Sequence, residues 1–335
     1  MRRNLVIPIG LLLACVAMLA PTGAASASNA KSRGHAHVAS SFLTGIGDEQ
    51  SEMFSDSNWR RLHTRIVRYI APYDTAVHPY SRQLAEAWIH AAEEQHQEVL
   101  VAFYHSEYIP LHMPSPAEYQ QDVRKFLKLF PHVHDYQPWN EANRGPVRYH
   151  YESYNSPSAL AAAKYYKALK GICHGCTVLG LDILDQPDVY PSLNYIAEFQ
   201  SEIHHLHTTM PRVWGLHDYS DTNRFESSRT RAILNAVPGQ VWLTETGGIV
   251  KFGGAFPNHH GSGLQRAARA LSYMFTLASS NPRITRLYIY EWSGDPESAI
   301  FDAGLTDAHH KPRPGYVVVC EHLQGAHCKV KVSQH

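Results

Sequence analysis

The sequence has no excess of charge of either sign: 30 basic residues balance 30 acidic ones across 335 positions. Binding a nucleic-acid backbone or an anionic membrane surface usually takes a basic surplus, so neither partner is expected. Cysteine is scarce, at 5 residues. No repeat, linker or low-complexity tract appears after the N-terminal segment. No glycine-rich phosphate loop follows the first extended run, which counts against a nucleotide-binding open sheet. Histidine is plentiful at 23 residues, yet its clusters His204-His205-Leu206-His207, His259-His260 and His309-His310 lack the His-Glu-x-x-His spacing of a zinc helix. Adjacent histidines diverge on a helix and read as solvated surface. No metal and no cofactor is expected.

What is present begins with an export signature. Arg2-Arg3 and Asn4 precede a mostly apolar run from Leu5 to Ala20, followed by Pro21-Thr22-Gly23 and small residues up to Ala30. That order is a secretory signal peptide, with cleavage after Ala27 or Ala30. A retained membrane helix is disfavoured because the run is short and contains Pro8 and Gly10. Lipidation at Cys15 is disfavoured because the apolar run continues past it. The expected organisation is a signal peptide over 1–30 and one domain over 31–335, secreted and monomeric, with no membrane association after cleavage. Four cysteines then remain, an even number that suits disulfides in an exported chain. Cys173 with Cys176 and Cys320 with Cys328 each close a short loop; the rival zinc site has poor spacing at Cys320-x7-Cys328.

From there the chain alternates. Extended runs fall near 41–46, 65–71, 98–104, 134–139, 177–184, 212–217, 240–244 and 284–291. Helical patterns fall near 56–63, 81–96, 116–130, 158–171, 192–207, 227–237, 263–279 and 314–323. In the second of these, Leu84, Ala87, Trp88 and Ala91 share one face. Eight strand–helix pairs in order predict a single (β/α)8 TIM barrel, whose strands all open toward one face.

Chemistry should collect at those strand ends. The fourth run leads into Asn140-Glu141 and the seventh into Glu245, followed by Thr246-Gly247-Gly248. Two carboxylates on one face can act as acid and nucleophile on a glycosidic bond. Arg68, His105, His217-Asp218-Tyr219 and Tyr290-Glu291-Trp292 fall near other strand ends, Glu291 pointing away from the site if alternation holds. Arg68 reads equally as a structural ion-pair residue, and His105 and His217 as packed histidines. The 19 tyrosines, 11 phenylalanines and 6 tryptophans suit sugar stacking and plain core packing alike.

Taken together, Asn140-Glu141, His217-x-Tyr219, Glu245 and Trp292, with Arg68 and His105, resemble the retaining glycoside hydrolases of clan A. The likeness in element order covers nearly the whole mature chain. It implies that Glu141 is the acid/base and Glu245 the nucleophile. It also implies that Asn140 holds the sugar 2-hydroxyl, Tyr219 donates to Glu245, and Trp292 forms a floor under the sugar. Arg68 and Tyr219 would favour the charged form of Glu245, while that charge and the apolar Trp139 would keep Glu141 protonated. The expected substrate is a polysaccharide or oligosaccharide, cut internally because no large pocket-closing insertion is evident. Transglycosylation and an inactive carbohydrate-binding barrel are the alternatives. A Schiff-base aldolase is remoter, since no inner strand end offers a lysine.

Overall fold

A computed structural model describes residues 42–148 and 153–330. The expected signal segment and Cys15 lie outside the described residues. The strands in chain order are β1 (Leu43–Gly47), β2 (Ile66–Pro72), β3 (Glu98–Tyr104), β4 (Asp135–Gln137), β5 (Val147–Arg148), β6 (Ser153–Tyr154), β7 (Thr177–Val178), β8 (Asp182–Leu184), β9 (Val213–His217), β10 (Gln240–Thr246), β11 (Lys251–Phe252), β12 (Ile284–Tyr290) and β13 (Phe301–Asp302). The helices are α1 (Ser57–Arg61), α2 (Pro79–Glu94), α3 (Pro116–Leu129), α4 (Ala159–Ile172), α5 (Tyr190–His205), α6 (Tyr219–Arg224), α7 (Ser228–Ala236), α8 (Ser262–Ser279) and α9 (Pro314–Gln324).

The main sheet runs β7-β4-β3-β2-β1-β12-β10-β9-β8, with every pairing parallel. It has the order of a (β/α)8 barrel whose fifth strand is split. β7 pairs with β4, and β8 pairs with β9. The handover takes one residue: Leu179 N–H donates to Tyr136 O and Gly180 N–H donates to Val213 O, both at 2.9 Å. A side chain at 180 would press on Pro211 and the Trp214 ring, so glycine permits the crossing. Two small antiparallel pairs, β5–β6 and β11–β13, follow the barrel strands at their C-terminal side.

Alternation along each strand divides the core in two. Inside the barrel, Ile66, Leu100, Leu179, Trp242 and Tyr288 pack together. Below them Arg286 lies 4.1 Å over the Trp242 ring and donates to Asp135 at 2.8 Å. The larger core lies between strands and helices and takes Val67, Tyr69, Val101, Phe103, Leu216 and Leu243. Helix starts follow local chemistry. At α3, Ser115 and Glu118 form a reciprocal capping box, with Pro116 in the first turn.

The buried face of α2 differs from the expected one. Ser81, Ala85, Trp88, Ile89 and Ala92 face inward, while Leu84 and Ala87 are exposed. Trp88 sets the rotation: its indole N–H donates to Asp48 O at 2.7 Å, and its ring stacks 4.8 Å from Tyr69. Both expected disulfides are formed, Cys173–Cys176 and Cys320–Cys328, each with Cα atoms 5.6 Å apart.

Candidate active site

The barrel interior turns polar above Trp242 and Tyr288. Arg68 is the third residue of β2, deeper than the strand end where the sequence placed it, and it is 1% exposed. Its guanidinium donates to Glu245 Oε2 at 2.8 Å, Asp182 Oδ2 at 2.8 Å, Asn140 Oδ1 at 2.6 Å and Gln137 Oε1 at 3.1 Å. This one cation ties four barrel strands or their ends together. Gly215 leaves the room, since a Cβ there would meet Gln137, Asp182 and Thr244.

Glu245 reaches this network through a break in alternation. Trp242 and Thr244 both face the interior, so a regular strand would turn Glu245 outward. The register between β10 and β9 shifts between Leu243 and Glu245, and Glu245 comes opposite His217. A bulge re-aims a side chain in this way. Thr244 Oγ1 still donates to Asp182 at 2.5 Å, while Glu245 Oε1 accepts from Tyr219 Oη at 3.1 Å.

Glu141 follows β4 with φ of 45°, in the left-handed region. Its neighbours fix that turn: Asn140 N–H donates to Phe103 O at 2.7 Å and Ala142 N–H to Asp182 O at 3.2 Å. The carboxylate is 6% exposed and that of Glu245 8%. His217, fully buried, bridges the site. Its Nδ1 lies 3.1 Å from Glu141 Oε1 and 3.7 Å from Glu245 Oε2, and its Nε2 lies 2.9 Å from Asp182 Oδ2. Glu141, His217 and Glu245 each place one polar atom within 4.8 Å of the others.

The electrostatics follow from this packing. Burial alone would discharge His217, but the charges of Asp182 and Glu245 and its two acidic hydrogen-bond partners overcome burial and push the imidazole up to about 10. Burial likewise works against Asp182, yet His217 and Arg68 hold it well below the usual carboxylate range. Glu141 differs from expectation. Burial would raise it, but the His217 hydrogen bond and the Arg144 guanidinium, 2.6 Å from Oε2, hold it down at about 2. Glu141 is therefore ionised, not kept protonated. The three convergent groups have the spacing of a metal cradle.

Asn140, Glu141, His217, Tyr219, Glu245 and Arg68 thus come together as the sequence predicted. Two others do not. Trp292 is 0% exposed, with its ring edge-on to Tyr316 at 5.8 Å, inside the outer core. β12 ends at Tyr290, so the alternation that would pair Tyr290 with Trp292 stops there. Tyr290 takes the place at the mouth, 6.3 Å from Phe301, which also lies 6.0 Å from Tyr219 and 5.7 Å from Phe252. His105 stacks on Tyr154 at 4.3 Å, on the side of the β5–β6 hairpin. Glu291 lies just past the end of β12. It sits in a buried acidic neighbourhood, accepting from Ala303 N–H at 3.4 Å, and burial together with Asp295, Asp48 and Glu49 pushes it up to about 9.

Asp182, Arg144 and Glu49 had not been singled out. Asp182 had a signal, a lone acid in the apolar run Leu179-Gly180-Leu181-Asp182-Ile183-Leu184. Glu49 follows β1 and accepts from Tyr290 Oη at 3.2 Å. Its surface is wet, but the concave mouth around it, with Asp48 and Glu245 close by, pushes its carboxyl up to about 8.

No family model and no curated protein matches the chain. Solved structures do. Native xylanase 10B from Thermotoga maritima is 15% identical, with a TM-score of 0.61 over 86% of this chain and 96% of that one. GH5_18 from Streptomyces cattleya, in complex with GlcNAc, is 14% identical with a TM-score of 0.58, over 88% and 82%. A family 39 glycoside hydrolase from Bacteroides cellulosilyticus WH2 is 13% identical with a TM-score of 0.55, over 84% and 63%. These relatives by shape all belong to the clan A barrel glycosidases, and what this chain shares with them is the (β/α)8 barrel fold.

Proposed function

We propose that the chain is a secreted, retaining glycoside hydrolase with Glu245 as nucleophile and Glu141 as acid/base. The observation that carries this reading is the approach of the two carboxylates at the C-terminal mouth of the barrel, with oxygens within 4.8 Å. Retaining enzymes hold their carboxyl groups about 5–5.5 Å apart, whereas inverting ones leave about 6.5–9.5 Å for a water. The xylobiose and Manβ1-4GlcNAc held by structures of similar fold support an oligosaccharide or polysaccharide as substrate. The export signature and the two disulfides support secretion.

In the first step the Glu245 carboxylate attacks the anomeric carbon as the glycosidic bond breaks, and Glu141, ionised at rest, must first take up a proton, which it then passes to the departing oxygen. In the second, ionised Glu141 takes a proton from water, and that water releases the sugar from Glu245. Two displacements return the starting configuration. Arg68 and Tyr219 fix the two Glu245 oxygens at 2.8 and 3.1 Å, so the nucleophile is held in place before substrate arrives. Arg68 also occupies the Asn140 carbonyl oxygen, which leaves the amide nitrogen as the donor for a sugar hydroxyl. Tyr290 and Phe301 supply the aromatic surface first assigned to Trp292.

The test asks the two glutamates to fail differently. Glu245→Gln should abolish turnover of every substrate. Glu141→Ala should still form the glycosyl-enzyme from an aryl glycoside with a good leaving group, and azide should restore its turnover. Variants as fast as the parent would refute the assignment. A parent that binds sugar and cleaves none would make the chain a binding barrel.

A further inference from the structure

Both oxygens of Glu141 are engaged by cations. Oε1 accepts from the His217 imidazolium at 3.1 Å and Oε2 from Arg144 at 2.6 Å. Each oxygen keeps a second lone pair, but two cations on one carboxylate oppose the proton that the first step must deliver, so protonation is favoured once one donor withdraws. His217 cannot do so readily. It is fully buried, and Asp182 holds its other nitrogen at 2.9 Å. Arg144 is differently placed. It lies three residues after Glu141 on the loop leaving β4, its side chain is 40% exposed, and Glu141 is its ion-pair partner.

The position of Arg144 also says what it would meet. Glu141 Oε1 faces His217, which is itself 3.7 Å from Glu245, so that oxygen looks toward the nucleophile. Oε2, the oxygen held by Arg144, is the other one. Tyr104 and Tyr154, with rings 5.3 Å apart, are neighbours of Arg144. This wall stands beside the acid/base, on the side of Oε2.

We propose that Arg144 binds a carboxylate on the sugar that leaves, and that in moving to this carboxylate it frees Glu141 Oε2 to take a proton. The substrate class is then a uronate-bearing glycan. An arginine fork suits a planar carboxylate, and Arg144 already holds one, that of Glu141. The proton comes from solvent and passes from Glu141 to the departing oxygen as the bond to the anomeric carbon breaks. The charged and titratable groups around Glu141 are Arg144 on its own loop, His217 from β9 backed by Asp182 from β8, Glu245 from β10, Tyr104 from β3 and Tyr219 from α6. Of these, Arg144 is the cation that substrate can draw away.

This inference rests on the hydrolase reading for its substrate and not for its first test. In protein labelled with carboxyl-13C glutamate, the titration of Glu141 is followed by NMR. Glucuronate should move the Glu141 midpoint upward and glucose should not. In Arg144→Ala the midpoint should start higher and ignore both sugars. A midpoint that glucuronate leaves in place in the parent overturns the proposal, whether or not any glycan is cleaved. The second test compares uronate-containing polysaccharides with their carboxyl-reduced forms. The parent should prefer the acidic form by about tenfold or more, the order expected of a charge-assisted hydrogen bond. Arg144→Ala should lose that preference, and Arg144→Lys should keep part of it. Equal cleavage of both forms by the parent, or a preference that survives in Arg144→Ala, overturns the proposal. A parent that passes the titration and cleaves no glycan refutes the hydrolase reading alone.

Discussion

Arg68→Met would test whether the buried charge network is one unit. The substitution keeps an unbranched stem of similar length and removes the guanidinium. Two carboxylates then lose their cation, Asp182 at 0% exposure and Glu245 at 8%. Breaking a buried ion pair from one side costs about 3–5 kcal/mol. The lower end applies here, because Asp182 keeps His217 and Thr244, and Glu245 keeps Tyr219. A loss of about 3 kcal/mol should lower Tm by roughly 5 °C in a domain of this size. The assay is urea unfolding at pH 7, where the midpoint should fall with the slope unchanged. Arg68→Met combined with Asp182→Asn should be less damaging than the sum of the two single changes, since the second removes a charge that the first stranded. A loss below about 1 kcal/mol, the range of exposed pairs, would refute the idea that Arg68 is the hub of the site.

Two further outcomes concern stability. Glu291 has its carboxyl raised from 4.5 to about 9 by burial and by Asp295, Asp48 and Glu49, so its contribution is intact below pH 4.5 and declines as pH rises toward 9. Glu291→Gln should flatten that decline in a Tm-against-pH series, and an unchanged slope would contradict the burial argument. Replacing both Cys320 and Cys328 by alanine reopens a loop with a sequence separation of 8. Chain entropy puts the loss at roughly 2–3 kcal/mol; a chemical denaturation midpoint equal to the parent's would show that the link constrains nothing in the unfolded chain.

The barrel was legible because its signals are local. Apolar periodicity, Pro116 near a helix start, and strand-length runs at regular intervals each depend on residues a few positions apart. The split of the fifth strand was not, because it depends on Gly180 meeting Pro211 and Trp214. The inward face of α2 was misread for the same reason: Trp88 takes its direction from Asp48 and Tyr69, which belong to other elements.

The site divides along the same line. Residue types at strand ends were enough to pick out Asn140, Glu141, His217, Tyr219 and Glu245, because a barrel sends every strand toward one mouth. That Glu245 faces inward was decided by a bulge against β9, which no alternation within β10 would give. Trp292 could not be placed from sequence, since the regular strand ends at Tyr290 and the ring turns into the outer core. Charge state was the least local property of all. Glu141 is ionised because Arg144 from its own loop and His217 from β9 converge on its two oxygens, and His217 is charged because Asp182 from β8 holds it from behind. Chain order names the titrating groups, but their protonation depends on distances of about three ångströms between strands far apart in sequence, where Coulomb energies in a dry interior are large. Those distances exist only once the barrel closes.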